Sequence, residues 1–238
     1  MTRRRFIADE VSGNRAALVG EHADHLVRVL RARVGQDFDI AGGGMVRRGR
    51  IDVVGDGRVE FDLGEEISRA RMTEITLVLA VFKFDRMEWA IEKCTELGVS
   101  RIVPVIARRT DLHLAAASAK RAERWQRIAR QAAEQSRRDA PPEIAAPIKV
   151  AEALNLPGGL RIVLAESEEQ TLLRDILRQN ADDGVVMAVG PEGGWTQSEL
   201  QSFQNSGWIS ASLGNIILRA ETAAMAATAV VASMLYLG

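Results

Sequence analysis

The chain has 238 residues, 47% of them apolar, and a formal net charge of −1. That is an ordinary globular composition, enough for one large core or two modest ones, and it excludes a global field drawing the chain to nucleic acid, so any RNA affinity rests on local patches. The single cysteine, Cys94, excludes a disulfide framework, and the absence of a signal-peptide pattern leads us to expect a cytoplasmic protein.

Residues 1–72 hold thirteen arginines, no lysine and twelve acids. The arginines cluster as Arg3, Arg4 and Arg5, then Arg28, Arg31 and Arg33, then Arg47, Arg48 and Arg50. Val59, Phe61 and Leu63 alternate with Arg58, Glu60 and Asp62, the period-two pattern of a strand with one wet face. Phe38–Ile40 and Ile51–Val53 continue it, and Gly42-Gly43-Gly44 and Gly55-Asp56-Gly57 are expected hairpin turns. Short strands and tight turns over about seventy residues suggest a small β-barrel. His22 and His25 are three apart with no further His or Cys nearby, so no metal site is expected.

Alternation gives way near Arg71-Met72-Thr73, where we place a domain boundary. Ile75–Phe82 is an uninterrupted apolar run suited to a buried strand. Asp85-Arg86-Met87-Glu88 suggests a capped helix start, and Met87, Ala90, Ile91, Cys94 and Leu97 follow at helical spacing until Gly98 ends the helix. Arg101–Ile106 is the next expected strand, completing a βαβ unit, so the class is α/β with a parallel sheet. Cys94 lies on the apolar helix face and is expected to be structural. A basic helix is expected over Lys120–Arg138, with Trp125, Ile128, Ala129 and Ala132 inward, ended by Pro141-Pro142. Arg161–Glu166 is a further strand, and Ser167–Asn180, with Leu172, Leu173, Ile176 and Leu177 at helical spacing, should pack as a helix.

The most informative stretch is Val185–Ala229. A short run of β-formers stops at Gly190-Pro191-Glu192-Gly193-Gly194, whose glycines let main-chain N–H groups approach a ligand closely. Thr196-Gln197-Ser198-Glu199 matches a capping box, so a helix should begin beside those glycines. Such strand–turn–helix junctions are where open α/β sheets place ligands. A second glycine, Gly214, follows a short strand over Trp208–Leu213. Arg219 and Glu221 then stand at the edge of an apolar helix, where charges need partners or a job. Ala224, Ala227, Val231, Met234 and Leu235 make an apolar surface expected to bury in a two-fold dimer. The longest apolar segment is shorter than the roughly 20 residues a spanning helix needs, so no membrane is expected.

GPEGGW followed by LG-x-x-ILRAETA resembles the paired cofactor-loop motifs of the RsmE-type family, the small-subunit ribosomal RNA (uracil-N3) methyltransferases of the SPOUT superfamily. KFDRMEWAIEKCTELGV from Lys83 resembles the family too, as does Ala133-Glu134-Gln135-Ser136-Arg137-Arg138, where the family's usual glycine is Arg137. At 215 and 216 the family most often has Pro-Arg; this chain has Asn-Ile. The resemblance implies a PUA-like β-barrel RNA-binding domain over 1–72 and a SPOUT methyltransferase domain over 73–238, a parallel sheet ending in a deep trefoil knot.

It further implies S-adenosylmethionine as cofactor, held by Leu164, Ala165 and Glu166, by Gly190, Pro191, Glu192, Gly193 and Gly194, and by Leu213, Gly214, Leu218 and Thr222. Arg3, Arg4, Arg5, His25, Arg28, Arg31, Lys83, Glu134, Gln135, Ser136 and Arg138 are candidate RNA contacts, guanidinium being suited to phosphate and to stacking on bases. The implied reaction methylates uridine N3 in 16S rRNA, within the small ribosomal subunit. Arg219 is the candidate cation; Glu221 and Glu192 are candidates to take the proton or to balance the sulfonium, and either can instead pair with Arg219. Two other readings stand beside it: a knotted methyltransferase acting on a ribose 2′-OH or a tRNA base, and a non-catalytic RNA-binding ribosome-assembly factor.

Overall fold

A computed structural model of the chain describes residues 4–67, 74–178 and 184–236. Arg3, the expected boundary at Arg71–Thr73 and the end of the expected 167–180 helix lie outside the described residues. Contacts divide the chain into two compact units, Met1–Ala70 with Ala133–Pro141, and Arg71–Ala132 with Pro142–Gly238.

The first unit is a curled six-stranded sheet of β1 (Arg5–Ile7), β2 (Glu10–Ser12), β3 (Arg15–Val19), β4 (Asp37–Gly42), β5 (Met45–Gly55) and β6 (Arg58–Glu66), ordered β1-β4-β5-β6-β3-β2. Val59, Phe61 and Leu63 point into its core with Leu18, Ile40 and Ile51, the alternation doing what period two requires. Gly43 and Gly44, at φ 60° and 80°, form the two-residue turn between β4 and β5, a left-handed pair that matches strand twist. A short helix α1 (Glu21–Asp24) runs into a π-helical turn, His25–Val29. Its His22 is held by Asp9, with Nδ1 3.0 Å from Oδ1, so that histidine has a structural partner.

The second unit is built on a sheet in which every pairing is parallel: β7 (Ile75–Ala80), β8 (Arg101–Ile106), β9 (Glu143–Ile144), β10 (Ile148–Lys149), β11 (Leu160–Leu164), β12 (Val185–Val189) and β13 (Ile209–Ala211). The order is β10-β8-β7-β12-β11-β13, with β9 also on β8. Helices cover both faces: α2 (Phe84–Glu96), α3 (Leu112–Ser118), α4 (Ala122–Gln135), α5 (Val150–Ala153), α6 (Leu173–Leu177), α7 (Gln197–Asn205) and α8 (Ala220–Tyr236). Alternate strand residues feed two cores. Leu77, Leu79, Ile162, Met187 and Val189 pack with α2 and α8, while Val78, Val163, Val186 and Ala188 pack with Phe203 and Trp208. Burial on both faces is why these strands are continuously apolar.

Four expectations are corrected. The second helix starts at Phe84 with Lys83 at its N-cap and no side-chain cap; Asp85 sits inside the first turn, where it still complements the helix dipole. The basic helix breaks at a 3₁₀ turn, Ala119–Arg121, and α4 ends at Gln135, after which Arg137 adopts φ 59°. The helix expected from Ser167 begins only at Leu173, because Glu168 takes the N–H groups of Gln170 and Thr171, both at 2.9 Å, into a side-chain turn. Finally, Ala224, Ala227 and Val231 are completely buried in the unit's own core, with Met234 and Leu235 packed against it. Small alanines let α8 lie close on the sheet and α2, while Met234 and Leu235 stay only partly buried. Among the described residues no helix is long and apolar enough to cross a membrane.

Candidate active site

A cavity of about 390 Å³ opens at the carboxyl ends of three neighbouring strands, walled by 164–167 after β11, 189–195 after β12 and 211–218 after β13. Its volume falls in the range of about 300–1,000 Å³ usual for small-molecule sites, and its place is where parallel sheets bind ligands.

The wall after β12 is heavily braced. Thr196 and Glu199 form the expected capping box: Thr196 Oγ1 accepts the Glu199 N–H at 3.3 Å and Glu199 Oε2 accepts the Thr196 N–H at 2.8 Å. The other Glu199 oxygen accepts the Arg108 N–H at 2.7 Å. Arg109 Nη1 donates to the Gly193 carbonyl at 2.5 Å, and the Gly194 N–H donates to the Pro191 carbonyl at 2.8 Å. Arg86 Nη1 reaches Glu192 Oε1 at 2.6 Å. Gly194 holds φ 67°, a shape costly to any residue with a Cβ.

The wall after β13 is lightly held. Ser212 Oγ accepts the Gly214 N–H at 3.0 Å and donates to the Gly214 carbonyl at 3.1 Å, which closes a bend with Gly214 at φ 123°. Asn215, Ile216, Ile217 and Arg219 are all exposed. Arg219 makes no ion pair among the described residues.

Of the expected cofactor residues, Leu164, Ala165, Glu166, Gly190, Pro191, Glu192, Gly193, Gly194, Leu213, Gly214 and Leu218 all line the cavity; Thr222 does not, the first turns of α8 contributing Ala220 and Ala223 instead. Arg219 and Glu221 are outside the lining as well. Glu221 is 3% exposed, with Oε1 3.8 Å from Arg86 Nε and Oε2 without a hydrogen-bond partner. Arg86 therefore occupies the place that the sequence offered to Arg219 as the partner of both carboxylates. No local signal marks Arg86, whereas Arg109, also missed, stands just past the carboxyl end of β8, a position favoured for sites in parallel sheets.

The residues fit S-adenosylmethionine. A Cβ at Gly190 would stand 3.2 Å from Trp195 Nε1, and one at Gly193 3.3 Å from Arg109 Cδ, so these glycines let the Trp195 and Arg109 side chains pack tightly against the bend and fix the cavity wall. Trp195 Nε1 is itself a buried donor without a partner. Main-chain groups of the bends and Glu166 line the cavity, groups of the kind an adenosine and an amino acid need. Cys94 is no part of this chemistry: it is fully buried, it accepts from Thr228 Oγ1 at 3.5 Å, and burial pushes its thiol up to about 12.

Candidate RNA residues divide by exposure. Arg4, His25, Arg28, Arg31, Lys83 and Gln135 are exposed, Glu134, Ser136 and Arg138 half-buried. Arg5 is a correction: it is 5% exposed, and its guanidinium bonds Asp139 Oδ1 at 2.7 Å and the Arg137 carbonyl at 2.5 Å inside the first unit. Its work is structural, since a buried guanidinium is retained only where such partners meet it.

A doubly covered parallel sheet with a glycine-walled pocket over its strand ends defines an α/β domain built to hold a small ligand, and the family model described as an RNA methyltransferase domain matches residues 69–232. The chain is 36% identical to the ribosomal RNA small subunit methyltransferase E of Synechocystis over 89% of this chain and 70% of that one, and 32% identical to that of Rickettsia conorii over 95% and 93%. The chain belongs to the ribosomal RNA small subunit methyltransferase E family. Among solved structures it is similar to the S-adenosylmethionine-bound member from Neisseria gonorrhoeae, with TM-score 0.84, 32% identity and 96% of each chain covered. It is also similar to a putative methyltransferase of Legionella pneumophila in complex with the same cofactor, with TM-score 0.85, 27% identity and 97% of each chain covered.

Proposed function

We propose that this protein methylates N3 of a uridine in small-subunit (16S) ribosomal RNA, using S-adenosylmethionine. The observation that carries the reading is the 390 Å³ cavity shared by the two glycine bends, with Arg219 on the looser one. When bound, the cofactor supplies an electrophilic methyl on a sulfonium. The bare main chain of residues 190–194 and 213–218 holds its two ends, and Glu166 accepts from ribose hydroxyls.

Uracil N3 lies between two carbonyls and is a weak acid. It attacks in line once its N–H bond gives up the proton and a cation meets the charge left on O2 and O4; the new N–CH₃ bond forms as the sulfur–methyl bond breaks. Arg219 is that cation. Glu192 or Glu221 takes the proton, directly or through water, and of the two only Glu192 lines the cavity. N3 sits on the Watson–Crick edge, so the base enters unpaired or extruded.

Residues 1–72 act in this reading as a PUA-like RNA-binding domain, with Arg4, His25, Arg28 and Arg31 on phosphate or bases, supported by their exposure. Residues 73–238, apart from the segment Ala133–Pro141 that packs with the first unit, form a SPOUT domain with the chain from β13 to α8 threaded as a trefoil knot, and Lys83, Glu134, Gln135, Ser136 and Arg138 are further RNA contacts. The substrate is 16S rRNA within the small ribosomal subunit, in the cytoplasm. The protein works as a two-fold dimer with each cofactor loop near the interface, a reading supported by the exposure of Ile216 and Ile217 on that loop. Mass mapping of 16S rRNA from cells lacking the gene tests the assignment: one N3-methyluridine is expected to vanish, and an undiminished signal overturns it.

A further inference from the structure

We propose that Arg86 is a positioning residue for the cofactor pocket, a bracket tying the first glycine bend to the first turn of α8. The inference rests on the function proposed above. Arg86 lies in the first turn of α2 and does not line the cavity. Its Nη1 is 2.6 Å from Glu192 Oε1, and its Nε is 3.8 Å from Glu221 Oε1. Glu192 is itself a wall residue, and Glu221 lies between Ala220 and Ala223, which line the same cavity from α8. One guanidinium thus sets two walls that are distant in sequence.

The two halves of the bracket differ in kind. The Glu192 side chain is 38% exposed, and half-exposed ion pairs add little stability, so that arm can orient the bend without holding the fold together. Glu221 is 3% exposed with an unpartnered oxygen. Removing the cation from a buried carboxylate leaves an uncompensated charge, a large destabilisation. Only arginine has a rigid fork able to address two carboxylates from two nitrogens; lysine is a single point charge.

Stability and cofactor affinity therefore separate. In the full-length protein, titrated with S-adenosylhomocysteine in a calorimeter, Arg86→Met should lower both Tm and affinity. Arg86→Met with Glu221→Gln should recover Tm, because no buried charge is left, yet keep an affinity loss of about tenfold, the size of coupling expected between contacting groups. Arg86→Lys should hold Tm near wild type while retaining part of that loss, seen in turnover as a raised KM for S-adenosylmethionine with a smaller change in kcat. Wild-type affinity in Arg86→Lys and in the double variant overturns the bracket and leaves Arg86 as a counter-charge for Glu221 alone. A wild-type protein that takes up no S-adenosylhomocysteine instead overturns the pocket assignment and, with it, this inference.

Discussion

The two glycine bends share one cavity but are built on different terms. The bend at 190–194 is held by Arg109 at the Gly193 carbonyl, by Arg86 at Glu192 and by the capping box that starts α7. The bend at 213–219 has one serine, Ser212, closing it on Gly214, and then exposed Asn215, Ile216 and Ile217, with exposed Arg219 following half-buried Leu218. A pocket needs a wall that keeps its shape for the cofactor. It also needs an edge that can meet a large, separately arriving base, and pre-organisation helps the first role more than the second. On the function proposed above, the braced bend suits a fixed cofactor wall, while the looser bend shares that wall and carries Arg219, the proposed cation, at its edge.

The strongest way to break that division is Arg219→Ala. If the loose bend carries the charge stabilisation, kcat on 16S rRNA should fall about 100-fold, roughly 3 kcal/mol, the usual cost of removing one preorganised donor from developing charge. S-adenosylhomocysteine affinity and Tm should stay at wild-type values, since Arg219 is exposed and outside the cavity lining. Unchanged kcat in single-turnover assays would move the chemistry to the braced side.

Gly214→Ala sharpens it further. A Cβ there meets nothing within 4 Å, but the backbone sits at φ 123°, so the penalty is conformational alone, about 1–2 kcal/mol. Cofactor affinity should fall about tenfold by calorimetry as the bend re-forms elsewhere, a loss smaller than that of Arg219→Ala in kcat. On the braced side, Thr196→Ala removes a helix cap worth about 1 kcal/mol. It should lower Tm by about 2–4 °C in a thermal melt while affinity changes less than in Gly214→Ala, because Arg109 and Arg86 still hold the bend.

The braced bend was largely legible in the sequence because its signals are local: a buried strand, three glycines, and a threonine and glutamate three apart. The parallel sheet was legible for the same reason, each strand announcing itself by an apolar run or alternation. Arg86 was not, because its partners lie 106 residues on, at Glu192, and further still, at Glu221. Only tertiary packing of α2 beside α8 makes that pairing. Ala224, Ala227 and Val231 on α8, buried within the unit's own core, were misplaced for a related reason: hydrophobicity says that a surface is buried, never against what. Arg137 carries a quieter lesson. The resemblance placed a glycine there, and φ 59° at that residue supplies the physical reason that glycine suits the position.

The smallest effect concerns the third wall, after β11, and asks on which side of the comparison it falls. Glu168 accepts N–H bonds from Gln170 and Thr171, and these backbone donors hold its carboxyl below the usual carboxylate range. A carboxylate whose folded pKa is depressed adds stability that is complete above the unfolded value and disappears as pH falls through the folded one. Glu168→Gln should therefore be slightly less stable than wild type at neutral pH, and the gap should close as wild type is acidified below the carboxylate range. If the third wall is braced like 190–194, hydrogen exchange at the amides of Gln170 and Thr171 should quicken in the variant at pH 7, after correction for its altered intrinsic rates, and match wild type in acid. Equal exchange at both pH values would mean that the turn is held by the packing of Leu173 and Ile176 beneath it, leaving the carboxylate without a structural role and this wall nearer in kind to the bend at 213–219.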